Sequence, residues 1–189
     1  MFQILDVLPT TKEFFHEFWN KKPFAVRGMI PKEIIGSLID EHHLAGISME
    51  EEVKSRLVKK GERHCDWTCS HGPFDEKDFA ELGKEDWSLL VQNTDQYHAD
   101  TADLLKCFNF TPRWFLDDIM VSFSPKGGTV GAHTDSYHVF LVQGKGERHW
   151  KVANEAIKNE YCIEDIPLKV LKNFFEGEDI TVTEGDVIY

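Results

Sequence analysis

The chain has 189 residues, of which 41% are hydrophobic and 12% aromatic, and its formal net charge is −12 at neutral pH. This apolar content excludes a disordered chain and is enough for the core of one domain. The charge disfavours direct binding to nucleic-acid phosphates and favours a basic protein or peptide as partner, although it also fits solubility alone. Apolar runs stay well below the ~18 residues of a membrane span, and the start lacks the basic segment of a signal peptide. With only four cysteines, the sequence predicts a cytoplasmic protein with reduced thiols.

The amino-terminal part predicts helices interspersed with strands. Thr10 and Glu13 have the spacing of a capping box and precede a stripe of phenylalanines, a pattern that predicts a helix. A second helix is predicted over "PKEIIGSLIDEHHL", with Pro31 in its first turn. The remaining runs predict, in order, a short strand, a β-hairpin around Lys-Lys-Gly, and a strand followed by a helix: "KKPFAVRG", "MEEEVKSRLVKKGERHCDWTCSHGPF" and "DWSLLVQNTDQYHADTADLLKCF".

From residue 117 onward the sequence is rich in short strands. The runs that share this character, separated mostly by glycine-containing turns, are "DDIMVSFS", "YHVFLVQG", "ERHWKVA", "EDITVTEG" and "DVIY". Short strands without alternating helices indicate an antiparallel barrel or jelly roll, whose interior can hold a small ligand. We therefore predict a mainly β fold with flanking helices. Residues 1–116 would pack on the barrel, and residues 117–189 would form its first strands.

The stretch "GAHTDSYHVFLVQGKGERHW", residues 131–150, carries the candidate chemistry. His133 and Asp135 are two positions apart, so on a strand both side chains would point to the same face. One imidazole and one carboxylate are two of the ligands in the 2-His-1-carboxylate triad of non-haem iron(II) oxygenases. The spacing is also common by chance, and two unrelated surface residues would give the same pattern. A metal centre of this type needs a third ligand.

Arg148, on the next predicted strand, is suited to a bidentate grip on a carboxylate such as the distal one of 2-oxoglutarate. Its run "KGERHWK" is charged throughout, so a plain surface arginine is the alternative. His138 and His149 are nearby histidines that could complete a triad. His138 is five residues from His133 and His149 adjoins Arg148, so strand parity would turn both away from the site. Both are interpreted as surface or packing histidines.

Several segments spread through nearly the whole chain carry a family resemblance: "FWNKKPFAVRG", "EVKSRLV", "SHGPF", "WSLLVQ", "DDIMVSFSPKGGTVGAHTDSYHVFLVQGKGERHWKV" and "EGDVIY". In this order they resemble the bacterial ribosomal oxygenases, which are JmjC/cupin-type enzymes dependent on iron(II) and 2-oxoglutarate that hydroxylate an arginine of a large-subunit ribosomal protein. The resemblance implies a double-stranded β-helix, the cupin or JmjC jelly roll. It also implies that the last strands are missing, so that residues 1–189 are one incomplete JmjC/cupin domain.

The resemblance implies roles for individual residues. His133 and Asp135 would be iron ligands, and Arg148 would bind the distal carboxylate of 2-oxoglutarate. Ser122, on the preceding "MVSFS" strand, would add a hydrogen bond to this cosubstrate. The candidate substrate-binding residues, which flank the site and also fit structural roles, are Asp118 and Tyr137.

In the family, a Pro-Pro loop and the second histidine ligand directly follow the "GDVIY"-type strand, whereas this chain stops at Tyr189. The resemblance therefore implies that the third iron ligand lies beyond Tyr189 and that the 189-residue chain is inactive as it stands. For the full-length form it implies a homodimer that uses iron(II), 2-oxoglutarate and dioxygen, with a basic large-subunit ribosomal protein as substrate. The alternative is a non-catalytic cupin-like module that binds a metal or ligand without oxygenase activity.

Overall fold

The computed structural model describes residues 2–173 and 175–189, which form short strands and short helices. The strands are β1 (Gln3–Leu5), β2 (Phe24–Val26), β3 (Ser55–Lys60), β4 (Trp67–His71), β5 (Trp87–Val91), β6 (Val121–Phe123), β7 (Leu141–Val142), β8 (Glu147–Ala153), β9 (Gly177–Thr183) and β10 (Val187–Ile188). The α-helices are α1 (Thr11–Glu13), α2 (Lys32–Ser37), α3 (Glu41–Ile47), α4 (Glu76–Ala80) and α5 (Ala99–Asp103). Within the described ranges, no helix is long and apolar enough to cross a membrane.

The first predicted helix begins at its capping box. The Thr10 hydroxyl oxygen accepts a hydrogen bond from the Glu13 N–H at 3.3 Å, and the Glu13 carboxylate accepts one from the Thr10 N–H at 2.9 Å. After α1 the chain continues as a π-helical turn over Phe14–Phe18. This turn buries Phe14 and Phe18 against Phe24 of β2, so the prediction of a capped helix with a buried phenylalanine stripe is confirmed.

The second predicted helix forms as two helices, so its prediction as one element is wrong. The chain leaves α2 at Leu38, whose ψ of 155° is extended. Asp40 then caps α3 by accepting a hydrogen bond from the His43 N–H at 2.8 Å. An aspartate that caps the next turn competes with continuation of the first helix. Pro31 precedes α2 in an extended conformation and therefore lies just outside its first turn.

The strands β4, β3, β5 and β6 form an antiparallel sheet in that order, which confirms the predicted Lys-Lys-Gly hairpin between β3 and β4. One face of this sheet, with Leu57 and Leu89, packs against Leu44 of α3. On the other face Leu90 packs with Trp67 and with a later segment of the chain. Each face therefore has its own apolar core.

A second sheet has the order β1, β2, β10 and β7, with β1 and β2 parallel and the other pairs antiparallel. Asp186, just before β10, ties this sheet to the residues after β2. Its carboxylate accepts hydrogen bonds from Arg27 Nη1 at 2.7 Å and from the Gly28 N–H at 2.8 Å. β8 and β9 form a separate antiparallel pair. The short antiparallel strands predicted after residue 117 are therefore confirmed.

Candidate metal and cosubstrate site

The predicted metal-binding segment is a loop rather than a strand. His133 and Asp135 lie in irregular backbone between β6 and β7, so their predicted placement on a strand is wrong. The physical reason lies at Gly131, whose φ of +79° is left-handed. Its N–H donates to the Thr129 hydroxyl oxygen at 3.0 Å, so a local turn replaces the hydrogen bonds of a sheet.

The loop nevertheless brings the two candidate ligands together. His133 Nε2 lies 3.5 Å from Asp135 Oδ2. On the other side of the ring, His133 Nδ1 lies 2.9 Å from the carbonyl oxygen of Gly131. Because a carbonyl oxygen can only accept, Nδ1 carries the hydrogen of that bond. In the neutral ring this leaves the lone pair of Nε2 facing the carboxylate.

This donor pair fits a divalent metal ion. Two neighbouring ligands, each ~2.1 Å from a metal, are roughly 3 Å apart when the angle between them is near a right angle. The separation of 3.5 Å between the His133 nitrogen and the Asp135 oxygen is close to that value. The side chains are 33% and 38% exposed, so a ligand can reach both from solvent. Imidazole and carboxylate groups are both ligands that iron(II) accepts, as other transition-metal ions also do.

Arg148 lies on β8 with its side chain turned inward. The residues of β8 alternate in exposure, so that Arg148 is half-buried while His149 is exposed. Arg148 Nη1 donates to the carbonyl oxygen of Gly128 at 3.4 Å. Among the described residues no carboxylate lies within ion-pair distance of this guanidinium, and burial lowers its pKa below the usual value. A half-buried arginine without an acidic partner is suited to binding an anionic ligand.

Ser122 lies on β6, opposite Leu90 of β5. Directly opposed residues of an antiparallel pair point to the same face, so Ser122 shares the face of Leu90 and Trp67. The carbonyl that binds Arg148 belongs to the loop directly after β6. The loop after β6 therefore brings Arg148 close to the strand that carries Ser122.

The two candidate substrate-binding residues have different surroundings. The Asp118 carboxylate accepts a hydrogen bond from the Asn93 N–H at 3.2 Å, and Asn93 has a left-handed φ of +56°. This contact gives Asp118 a structural role in holding a turn. Tyr137 is 70% exposed, two residues after Asp135. Within the described residues, no hydrogen bond joins either side chain to His133 or Asp135.

His138 packs away from the candidate ligands. Its ring stacks on Trp19 with 3.8 Å between ring centroids, and its Nδ1 lies 2.7 Å from the Tyr189 hydroxyl oxygen. Partial burial lowers the pKa of His138. The interpretation as a packing histidine agrees with these contacts. Its stated reason, strand parity, is wrong because the segment is a loop.

His149 points to the outer side of β8. Its Nε2 lies 3.1 Å from Asp179 Oδ1 on the paired strand β9. Here the parity argument holds, because β8 is a regular strand. In the part of the chain that the structure describes, no group of three or more His, Cys, Asp or Glu side chains could hold a metal ion.

Sequence reasoning missed the residues that hold the loop in place. The Leu171 N–H donates to the carbonyl oxygen of Ala132 at 2.7 Å, and the buried Val170 lies against Gly131. Gly131, two residues before His133, is a local signal that could have predicted the turn. Val170 and Leu171 carry no such signal, because they meet the loop only after folding.

Comparison with known proteins places this site in context. Residues 103–189 match the family model of the JmjC domain. The chain is 38% identical over 184 residues to a probable ribosomal oxygenase of Haemophilus influenzae, and 39% identical over 178 residues to the ribosomal protein uL16 3-hydroxylase of Escherichia coli. These alignments cover 95% and 94% of this chain but 44% and 46% of the two relatives. The chain therefore spans about half the length of the curated relatives that it matches.

Solved structures show the same likeness. The X-ray structure of YcfD from Escherichia coli aligns with a TM-score of 0.81 at 37% identity, covering 97% of this chain and 47% of that chain. A second structure shows YcfD, a ribosomal oxygenase from Escherichia coli, in complex with cobalt and 2-oxoglutarate. It aligns with a TM-score of 0.78 at 35% identity, covering 97% of this chain and 46% of that one. These likenesses confirm the predicted jelly-roll fold class.

Proposed function

Since the chain belongs to the JmjC-domain ribosomal oxygenases, we propose that the full-length protein is an iron(II)- and 2-oxoglutarate-dependent oxygenase. Its substrate would be a basic protein of the large ribosomal subunit, hydroxylated on an arginine side chain. The observation that carries the proposal is the separation of 3.5 Å between His133 Nε2 and Asp135 Oδ2. One solved structure of a relative is a complex with cobalt and 2-oxoglutarate, and cobalt is a common substitute for iron(II).

His133 and Asp135 would hold the metal through Nε2 and a carboxylate oxygen. When bound with 2-oxoglutarate and dioxygen, iron(II) supplies the oxidation that turns a substrate C–H bond into C–OH while 2-oxoglutarate becomes succinate and carbon dioxide. The protein's own task is to keep positions around the metal open and to orient both organic molecules. The partial exposure of both ligands is compatible with that task.

Arg148 would bind the distal carboxylate of 2-oxoglutarate. Within the described part of the chain its guanidinium makes one long hydrogen bond, at 3.4 Å to the Gly128 carbonyl, so most of its five N–H donors are available to an anion. Ser122 would donate a further hydrogen bond to the same cosubstrate from β6. Asp118 and Tyr137 would contact the substrate side chain, with Tyr137 better suited because it is more exposed and Asp118 already binds the Asn93 backbone.

The third metal ligand, a histidine, would come from outside residues 1–189. Two observations support this placement. The described residues contain no third side chain that completes a metal-binding group with His133 and Asp135. The relatives are also about twice as long as this chain. We further propose that the full-length protein is a homodimer and that the 189-residue chain alone is inactive.

The substrate assignment has support from charge. The formal net charge of −12 attracts a basic protein, as ribosomal proteins of the large subunit generally are. One relative is a uL16 3-hydroxylase, which makes the corresponding ribosomal protein the first substrate to test. An exposed acidic surface would steer such a partner in a salt-dependent manner.

The decisive experiment is aerobic turnover by the full-length protein. Iron(II), 2-oxoglutarate and a recombinant uL16-type protein are incubated together, succinate is quantified, and the peptide that gains one oxygen atom is found by mass spectrometry. We expect succinate and hydroxylated arginine in equal amounts, both lost in His133→Ala. Metal binding without any succinate formation would contradict the oxygenase proposal and favour the non-catalytic cupin-like module. Hydroxylation of another residue type would contradict only the arginine assignment.

A further inference from the structure

We propose that the carbonyl group of Gly131 sets the tautomer of His133 and thereby selects Nε2 as its metal-binding nitrogen. A small hairpin of residues 161–172, here called the buttress hairpin, holds that carbonyl in place. This inference rests on the proposed role of His133 as a metal ligand. It assigns positioning roles to residues that do not themselves touch the metal.

The first step is the hydrogen bond between the imidazole and the loop backbone. A neutral imidazole has one N–H and one lone pair, and it can bind a metal only through the nitrogen that lacks the hydrogen. His133 Nδ1 lies 2.9 Å from the Gly131 oxygen, which can only accept. The hydrogen is therefore held on Nδ1, and Nε2 faces Asp135 at 3.5 Å. Metal-ligating histidines commonly use a backbone carbonyl in this way.

The second step is that the Gly131 backbone can take few other positions. Its φ of +79° is left-handed, and a Cβ built on it would lie 2.8 Å from both methyl groups of Val170 and 3.2 Å from Trp67 Cη2. Its N–H is engaged by the Thr129 hydroxyl at 3.0 Å. The carbonyl of the next residue, Ala132, accepts from the Leu171 N–H at 2.7 Å. Hydrogen bonds on both sides therefore fix the direction of the Gly131 carbonyl.

The third step is that the buttress hairpin is itself anchored. Its two arms are joined by backbone hydrogen bonds from Ile163 N to the Val170 oxygen at 2.8 Å and from Lys172 N to the Tyr161 oxygen at 2.7 Å. Its apolar side chains pack on the sheet face that carries Trp67 and Leu90. The members of that packing group that belong to the hairpin are Ile163, Ile166, Leu168 and Val170. The sheet therefore positions the loop through this hairpin.

The test compares variants of the full-length protein by cobalt(II) titration and by ¹⁵N NMR of His133 in the metal-free state. Gly131→Ala introduces a methyl group against Val170, and its matched control is Gly146→Ala. Gly146 has a similar φ of +73° but nothing within 4 Å of its added methyl. We expect Gly131→Ala to weaken cobalt(II) binding by about 10- to 100-fold, and Gly146→Ala to leave the affinity unchanged. The NMR spectrum should show one His133 tautomer, with hydrogen on Nδ1, in the wild type and a mixture in Gly131→Ala.

A gentler variant keeps the test informative if Gly131→Ala fails to fold. Thr129→Val removes only the acceptor of the Gly131 N–H, and Thr181→Val is its control. The Thr181 hydroxyl also lies beside a histidine, at 3.3 Å from His149 Nδ1, but on the outer face. We expect a smaller loss of cobalt(II) affinity and a partial tautomer change in Thr129→Val, and neither in Thr181→Val.

The outcomes separate this inference from the proposed function. If the substitutions leave both the cobalt(II) affinity and the Nδ1–H tautomer of His133 as in the wild type, the positioning role is wrong. If His133→Ala and Asp135→Ala bind cobalt(II) as tightly as the wild type, the metal site itself is wrong. The tautomer measurement does not need metal, so it still decides the role of the Gly131 carbonyl in that second case.

Discussion

The sharpest functional prediction concerns Arg148. Replacing it by alanine removes the only cation proposed to bind the distal carboxylate of 2-oxoglutarate. A hydrogen bond to a charged group contributes about 1.5–3 kcal/mol, which corresponds to roughly 10- to 150-fold in affinity. Arg148 is half-buried, and among the described residues its side chain makes a single hydrogen bond, at 3.4 Å to the Gly128 carbonyl oxygen, so most of its N–H donors are not used there. We therefore expect the KM for 2-oxoglutarate to rise by that factor, with iron(II) affinity nearly unchanged.

The assay measures initial rates of succinate formation by the full-length protein against 2-oxoglutarate concentration, and iron(II) affinity separately. Arg148→Lys keeps the charge but loses the bidentate geometry, so its KM should fall between those of the wild type and Arg148→Ala. Lys151→Ala is the matched control, because Lys151 lies on the same strand but is exposed and contacts Asp179 on the outer side. The reasoning is refuted if Arg148→Ala retains the wild-type dependence on 2-oxoglutarate, or if Lys151→Ala changes it equally.

Further predictions address metal binding, stability and charge. His133→Ala should abolish both turnover and tight iron(II) binding in the full-length protein. The isolated 189-residue chain should bind iron(II) weakly when titrated by calorimetry, and tight stoichiometric binding by this chain would contradict a third ligand from outside it. Asp186→Ala should lower the free energy of unfolding in urea by about 2 kcal/mol, because it removes a buried carboxylate that accepts hydrogen bonds from Arg27 and the Gly28 N–H, whereas Asp179→Ala on the surface should change it little. Burial raises the pKa of Asp186, but hydrogen bonds from Thr183, Gly28 and Arg27 together outweigh the effect of burial and lower that pKa. The stabilisation that these hydrogen bonds provide is therefore present above an unfolded-state pKa of about 3.9, and it is lost as the pH falls through the lower pKa of the folded state. Turnover of a basic ribosomal protein should fall with rising salt through KM, and a salt-independent KM would remove charge steering from the proposal.

The sequence predicted the elements of this fold well where local signals were strong. The capping box of Thr10 and Glu13, the hairpin around Lys-Lys-Gly and the alternation that turns Arg148 inward are all local patterns, and they reappear in the structure. The sequence did not predict the break between α2 and α3, where Asp40 caps α3 and the Ile39 N–H donates outside the helix, to the Thr101 hydroxyl oxygen at 3.1 Å. That contact joins distant parts of the chain.

In the candidate site, too, the sequence predicted what local patterns determine and not what depends on tertiary contacts. The pair His133 and Asp135 could be picked from spacing, and the two side chains do meet. The strand on which the spacing argument relied does not exist, because Gly131 and the hydrogen bond to Thr129 impose a turn. The packing of Val170 against that glycine is a tertiary contact, which no local pattern encodes.

The sheet order β1, β2, β10 and β7 has a consequence for the way the chain folds during synthesis. The tie between Arg27 and Asp186 joins residues 159 positions apart, and β2 pairs with β10 across nearly the same interval. At a translation rate of about 5–20 residues per second, β2 leaves the ribosome roughly 8–30 s before its partner strand is made. During that time one edge of a strand whose residues are all buried in the folded state has no partner. The contacts between β2 and β10 are therefore among the slowest to form, and the nascent chain is exposed to aggregation at β2 until β10 has been made.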